Sequence, residues 1–176
     1  VLIIVPASQL LCPVFMLTVR PATDTDIAMI GELAEKIWRV HYTPMIGVKQ
    51  VEYMLEKMYS PASLLQQMKE GAYFFIAENN GKPIGYVSIS DKGRGDFFLN
   101  KFYLDVSEQG KGFGKTIFAD IISRFPQLKT IRLQVNRRNF KSVNFYFRLG
   151  FTIEYVKDFD IGEGYSMDDF VMLFRK

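Results

Sequence analysis

The chain is poor in the residues that build most covalent and metal-assisted sites. One cysteine, Cys12, in 176 residues excludes an internal disulfide and any cysteine-rich metal centre. A lone histidine, His41, argues against a histidine-built zinc site, so no metal is expected. This usage suits a reducing, cytoplasmic setting. Charge of one sign is also scarce: 22 Lys and Arg stand against 19 Asp and Glu, a net charge of +3. The basic residues are scattered, with Arg137-Arg138 the densest pair, so nucleic acid is not an expected partner. Repeats, low-complexity tracts and linkers rich in Pro, Gly and Ser are missing, and residues 16–176 read as one domain. The stretch 1–15 is an apolar extension that begins without methionine, with Met16 as an alternative start. It is too short for an ordinary membrane span, lacks a positive leading region and holds Pro6 and Pro13, so neither a signal peptide nor a membrane helix is expected.

What is abundant is apolar surface. A hydrophobic content of 48%, with 16 Phe and 9 Tyr, can enclose a sizeable core. Leu17 to Arg20 reads as a short strand, and Thr23 with Asp26 offers a capping box before a helix carrying Ile27, Ile30, Ala34 and Ile37. That helix should end near Tyr42-Thr43-Pro44. Val51, Met54, Leu55 and Met58 form a second apolar stripe, and Ser60-Pro61 resembles an N-cap and first-turn proline for a third helix. Tyr73 to Glu78 and Pro83 to Ser90 read as strands joined by the hairpin signal Asn79-Asn80-Gly81-Lys82. A strand ends at Leu104, another covers Ile131 to Asn136, and apolar segments around Phe151 to Val156 and Phe170 to Phe174 close the chain. Residues 158–169, with Gly162 and Gly164, read as a loop of solvated acidic surface. The order is strand, helices, three strands, helix, strand, helix, two strands, which is an α/β domain with a mixed sheet.

The most informative run is Gln109-Gly110-Lys111-Gly112-Phe113-Gly114-Lys115. A strand-like segment ends before it, and Phe113, Ile117, Ile121 and Phe125 recur at helical spacing within and after it. Glycines at a strand-to-helix turn allow close approach to the main chain, where unpaired N–H groups and the positive dipole end attract phosphate. Lys111 and Lys115 add compact positive charge. The run spells neither G-x-x-x-x-G-K-[ST] nor a dinucleotide fingerprint. A second segment follows the strand ending at Asn136: Asn139, Ser142 and Tyr146 fall at i, i+3 and i+7 and share one helical face. Tyr146 lies roughly 10 Å along the axis from Asn139 at 1.5 Å per residue. Asn139 is equally suited to an N-cap, and Tyr146 taken alone would read as a core tyrosine.

Gln109-x-x-Gly112-x-Gly114 resembles the acetyl-coenzyme A pyrophosphate loop of the GNAT N-acetyltransferase superfamily. The segment from Asn139 to Phe151 resembles that family's second cofactor segment, and the element order resembles its fold over roughly Leu17 to Lys176. The resemblance implies a mostly antiparallel central sheet flanked by helices, with two central strands splayed at the cofactor site. It implies acetyl transfer from acetyl-CoA to a primary amine by direct attack, without a nucleophilic cysteine. Backbone N–H groups from Gly110 to Gly114, Phe113 among them, would hold the pyrophosphate. The pantetheine arm would pair with the edge of Tyr103, Leu104 and Val106, while Asn136, Asn139 and Ser142 complete the cofactor side. A backbone N–H near Leu104 would stabilise the oxyanion, and Tyr146 would protonate the departing sulfur, since a phenol is protonated at neutral pH. The general base stays unassigned among Asp96, Asn100 and Asp105. Trp38, Tyr42, Glu32 and Glu35 lie in the region that covers the substrate side in this superfamily. The segments 37–42 and 51–59 resemble polyamine acetyltransferases, implying a polyamine among small-molecule acceptors. A protein or peptide acetyltransferase and a non-catalytic acyl-CoA sensor are the alternatives, and a homodimer is left open.

Overall fold

The computed structural model describes residues 16–176, and the expectations for residues 1–15, Cys12 included, lie outside them. Seven strands form one sheet: β1 (Leu17–Pro21), β2 (Ala72–Asn79), β3 (Lys82–Asp91), β4 (Asp96–Leu104), β5 (Thr130–Asn136), β6 (Thr152–Gly162) and β7 (Tyr165–Arg175). Their spatial order is β1-β2-β3-β4-β5-β7-β6, antiparallel everywhere except between β4 and β5. The helices are α1 (Ile27–His41), α2 (Thr43–Ile46), α3 (Val48–Tyr59), α4 (Pro61–Lys69), α5 (Phe113–Ser123) and α6 (Phe140–Arg148).

Each sheet face buries its own core. On one side Phe113, Ile117 and Ile121 of α5 and Val143 of α6 pack on Ile89, Phe97, Leu133 and Met172. On the other, Ile30, Ala34 and Ile37 of α1, Val51 and Met54 of α3 and Leu64 of α4 pack on Phe74, Ile76 and Tyr86. The stripes read from periodicity are these buried faces. Thr23 and Asp26 form the expected capping box, and Asp26 also takes a two-pronged ion pair from Arg20 of β1 at 2.8 and 2.9 Å. Ser60 caps α4.

α1 ends at His41 with Tyr42 as its C-cap, as the Tyr42-Thr43-Pro44 signal predicts, and Pro44 sits in the first turn of the short helix α2, where its missing N–H costs nothing. One feature differs from the sequence reading. Residues 158–169 are not a loop: β6 and β7 run through them as a long hairpin that turns only at Glu163 and Gly164. The strand signal was weak because β6 is exposed along most of its length and its alternation, present at Ile153-Glu154-Tyr155 and Phe159-Asp160-Ile161, is interrupted at Val156-Lys157-Asp158.

The relation between β4 and β5 positions the site. They pair only from Asp96↔Thr130 to Phe98↔Arg132, then part, β4 continuing along β3 and β5 along β7. Thr130 anchors the closed end by donating to Asp96 at 2.6 Å. In β4 the register shifts at Asn100, because Ser88 faces Lys101 while Ile89 faces Leu99. This extra residue reverses the alternation. Phe97, Leu99, Phe102 and Leu104 therefore join the α5 side, whereas Lys101 and Tyr103 turn to the α1–α3 side.

Candidate active site

Two cavities meet where β4 and β5 part, and Tyr42, Leu99, Asn100, Tyr103, Gln134 and Val135 line both. The first, of about 420 Å³, runs from this cleft to the start of α5 and along α6. The second, of about 370 Å³, lies beneath α1, α3 and α4.

The lining of the larger cavity is chemically suited to an anion. Gly110 and Gly112 line it with φ near +83° and +86°, and a Cβ on either would meet nothing within 4 Å. Gly112 is the N-cap of α5, whose first-turn N–H groups have no intrahelical acceptors. Lys115, Lys141 and Arg148 line the same space, and no carboxylate among the described residues does. Gln109 donates to the Leu104 carbonyl at 2.9 Å, tying the glycine run to the end of β4. Gly114 serves packing, since a Cβ there would stand 3.0 Å from the Phe145 ring.

Tyr146 borders this cavity from α6, packed edge-on to Phe151 at 5.4 Å. Its hydroxyl has no hydrogen-bond partner among the described residues. Burial, with Tyr42 nearby, raises its pKa above the usual phenol value, so it is held protonated.

The smaller cavity has an aromatic wall. Trp38 lies 4.3 Å from Tyr42, 5.4 Å from Tyr59 and 5.9 Å from Tyr103, centroid to centroid. Lys101 and Asp169 reach it from β4 and β7. The β6–β7 hairpin packs against α3 beside it: Gln50, which lines the cavity, donates to the Ser166 carbonyl at 2.8 Å, Tyr53 donates to the Ile161 carbonyl, and Tyr53 packs on Tyr165 at 5.2 Å.

A family model described as Acetyltransferase (GNAT) domain matches residues 42–159. The chain belongs to the GNAT acetyltransferase family. As such it is an acetyl-CoA-dependent acyltransferase. An uncharacterised N-acetyltransferase of Mycobacterium tuberculosis is 21% identical over 152 residues, covering 85% of this chain and 97% of its own. The fold is similar to PaiA N-acetyltransferase from Thermoplasma acidophilum, solved in complex with coenzyme A, with a TM-score of 0.74 and 22% identity over 91% of this chain and 99% of that one. YncA from Salmonella typhimurium, solved with its cofactor acetyl-CoA, gives 0.64 and 21% over 90% and 93%.

In this GNAT chain, the larger cavity gathers Tyr103, Leu104, Gln109, Gly110, Gly112, Gly114, Lys115, Ser142 and Tyr146. Other side chains expected there lie elsewhere. Val106 is exposed in the turn after β4, Lys111 is ion-paired to Glu108 at 3.0 Å, and Phe113 is buried in the core, leaving only its main chain to the loop. Asn136 lines the smaller cavity. Asn139 is buried and caps α6 by accepting from the Ser142 N–H at 3.2 Å, because a short polar side chain before a helix satisfies its orphan donors.

Of the residues expected on the acceptor side, Trp38 and Tyr42 line the smaller cavity, but Glu32 and Glu35 are exposed, Glu35 paired with Arg39. Asp96 is held by Thr130 at the closed end, and Asp105 caps the following turn and pairs with Lys36. Asn100 lines the cleft and donates to Ser90 at 2.8 Å. Sequence reading missed Lys101 and Asp169, and it covered Tyr59 and the half-buried His41 only as members of the segments 51–59 and 37–42. A charge inside the apolar run from Phe97 to Leu104 was the available signal for Lys101.

Proposed function

We propose that this protein transfers the acetyl group of acetyl-CoA to the amine of a small molecule, with Tyr146 as the general acid. The observation that carries this reading is the parting of β4 and β5, which joins an acid-free, cation-lined cavity at the start of α5 to a separate aromatic cavity. The donor's pyrophosphate suits the open main chain at Gly110 and Gly112, with Lys115, Lys141 and Arg148 supplying charge. The pantetheine arm suits the edge of β4 that β5 leaves unpaired, because an amide-bearing chain can add to it as a strand would. The acceptor then reaches the thioester from the aromatic side. Tyr146, protonated and without a protein partner, is suited to deliver its proton to the leaving sulfur.

The placement of the acceptor cavity beneath α1, α3 and α4, with the β6–β7 hairpin against α3, supports a small molecule over a protein segment, which would need an open groove. A cavity of about 370 Å³ falls within the range of small-ligand sites. The test is calorimetric titration with acetyl-CoA, then release of free thiol across polyamines, amino acids and peptides. Binding with turnover on a small amine is expected. Binding without turnover on any of them would make the protein a sensor, and turnover on peptides alone would make it a protein acetyltransferase.

A further inference from the structure

The acceptor cavity contains two ionisable groups of opposite sign, neither of them ion-paired among the described residues. Lys101 is 4% exposed, its Nζ stands 4.7 Å from the centre of the Tyr59 ring, and it makes no ion pair among the described residues. Asp169 is fully buried, and neither of its carboxylate oxygens has a hydrogen-bond partner among the described residues. The two share the cavity without pairing with each other. The other charged groups lining it, Lys92 and Glu70, are exposed.

A buried charge left unpaired is costly, and its loss would normally stabilise a fold. Two such groups of opposite sign, held apart in one cavity, are matched together by a ligand that carries both complementary charges. The bulge at Asn100 is what turns Lys101 into this space, and the extension of β7 through residues 165–169 is what brings Asp169.

Resting on the proposed acetyl transfer, we infer that the acceptor is a small amine that also bears an anion, an amino carboxylate, with the anion at Lys101 and the amine at Asp169. Asp169 takes one proton from the ammonium group. The free amine forms the C–N bond as the C–S bond breaks, the sulfur takes its proton from Tyr146, and the tyrosine recovers one from the acetylated nitrogen. Asp169 then returns its proton to solvent. Burial holds the Asp169 carboxyl near about 7, with Asp168 and Asp158 adding to the rise and Arg137 opposing it, so the group can cycle near neutral pH. Lys101 repels a second cationic centre, so a polyamine is a poorer fit than the likeness of residues 37–42 and 51–59 implied.

The test uses wild-type protein with saturating acetyl-CoA and measures thiol release for the protein L-amino acids and β-alanine, their methyl esters, and spermidine. At least one free amino carboxylate should exceed its ester by about ten-fold in kcat/KM, the scale of one charge interaction. Spermidine should trail it. Lys101→Met should abolish the preference, and Asp169→Asn should lower kcat/KM by about 10²-fold or more and remove an ionisation near pH 7, both retaining acetyl-CoA affinity. Esters or spermidine equal to the acids, acetylation of other amines alone, or an intact preference in Lys101→Met would overturn the inference. The acid–ester comparison on wild type stands even if a variant does not fold. Failure to bind acetyl-CoA would sink the proposed function instead. Calorimetric titration of the amino acids and esters into donor-free protein would then still read the anion site: preference for the acids supports it, and none overturns it.

Discussion

Gly162, at the tip of the β6–β7 hairpin, lies directly against Tyr53 of α3: a Cβ added there would stand 2.8 Å from the tyrosine hydroxyl. The same residue has φ +92°, a conformation that side-chain-bearing residues adopt with strain. Gly162→Ala should therefore lift the tip from α3 and loosen the wall of the acceptor cavity. A cost of about 1–2 kcal/mol, or a fall in Tm of roughly 2–8 °C, is expected. KM for the acceptor should rise while acetyl-CoA affinity stays unchanged. An unaltered KM in a destabilised protein would detach the hairpin from acceptor binding.

Replacing Gly112 addresses the donor side. Nothing lies within 4 Å of a Cβ there, so valine creates no clash within the protein and acts through its strained φ and its bulk in the cavity. Gly112→Val should remain folded and bind acetyl-CoA about ten-fold or more weakly, a loss of about 1.4 kcal/mol or greater. Calorimetry reads this directly, and unchanged affinity in a folded protein would count strongly against pyrophosphate binding at this loop.

Tyr146→Phe separates chemistry from packing. The ring contacts with Phe145 and Phe151 survive, and the hydroxyl being removed has no protein partner to leave unsatisfied. Stability should stay within about 1 kcal/mol of wild type, while kcat falls by roughly 10²-fold, the lower end for loss of an acid because a thiolate is a fair leaving group. Full turnover at saturating substrate would remove Tyr146 from the mechanism.

Lys101 and Asp169 give stability an unusual dependence on pH. The Lys101 pKa falls from 10.5 to about 8 on burial, so between these values the unfolded chain binds more protons and stability rises with pH, by up to roughly 3 kcal/mol. The Asp169 pKa rises from 3.8 to about 7, so across that window the folded state binds more protons and stability falls as pH rises. Denaturant titrations from pH 4 to 10 should show a minimum between about 7 and 8. Lys101→Met should flatten the upper arm and raise Tm at neutral pH, and a Tm below wild type there would show that the ammonium is matched within the protein.

Much of the architecture was legible because it rests on local chemistry. The apolar stripes of α1, α3 and α5, the Thr23–Asp26 capping box, the Ser60 cap and the β2–β3 hairpin depend on residues a few positions apart. So does the glycine run at the start of α5. The β6–β7 hairpin was only half legible, because an exposed strand draws its order from its partner rather than from its own pattern.

The sequence by itself determined the α/β order, the glycine loop, the Asn139–Tyr146 face and, through them, the family. It could not show where β4 and β5 separate, because that depends on β3 and β7 competing for their outer edges. Nor could it reveal that one extra residue at Asn100 turns Lys101 away from Leu99 and across the cavity from Asp169, 68 positions later in the chain. A strand's facing is set by its register with a neighbour, and register is a property of the assembled sheet.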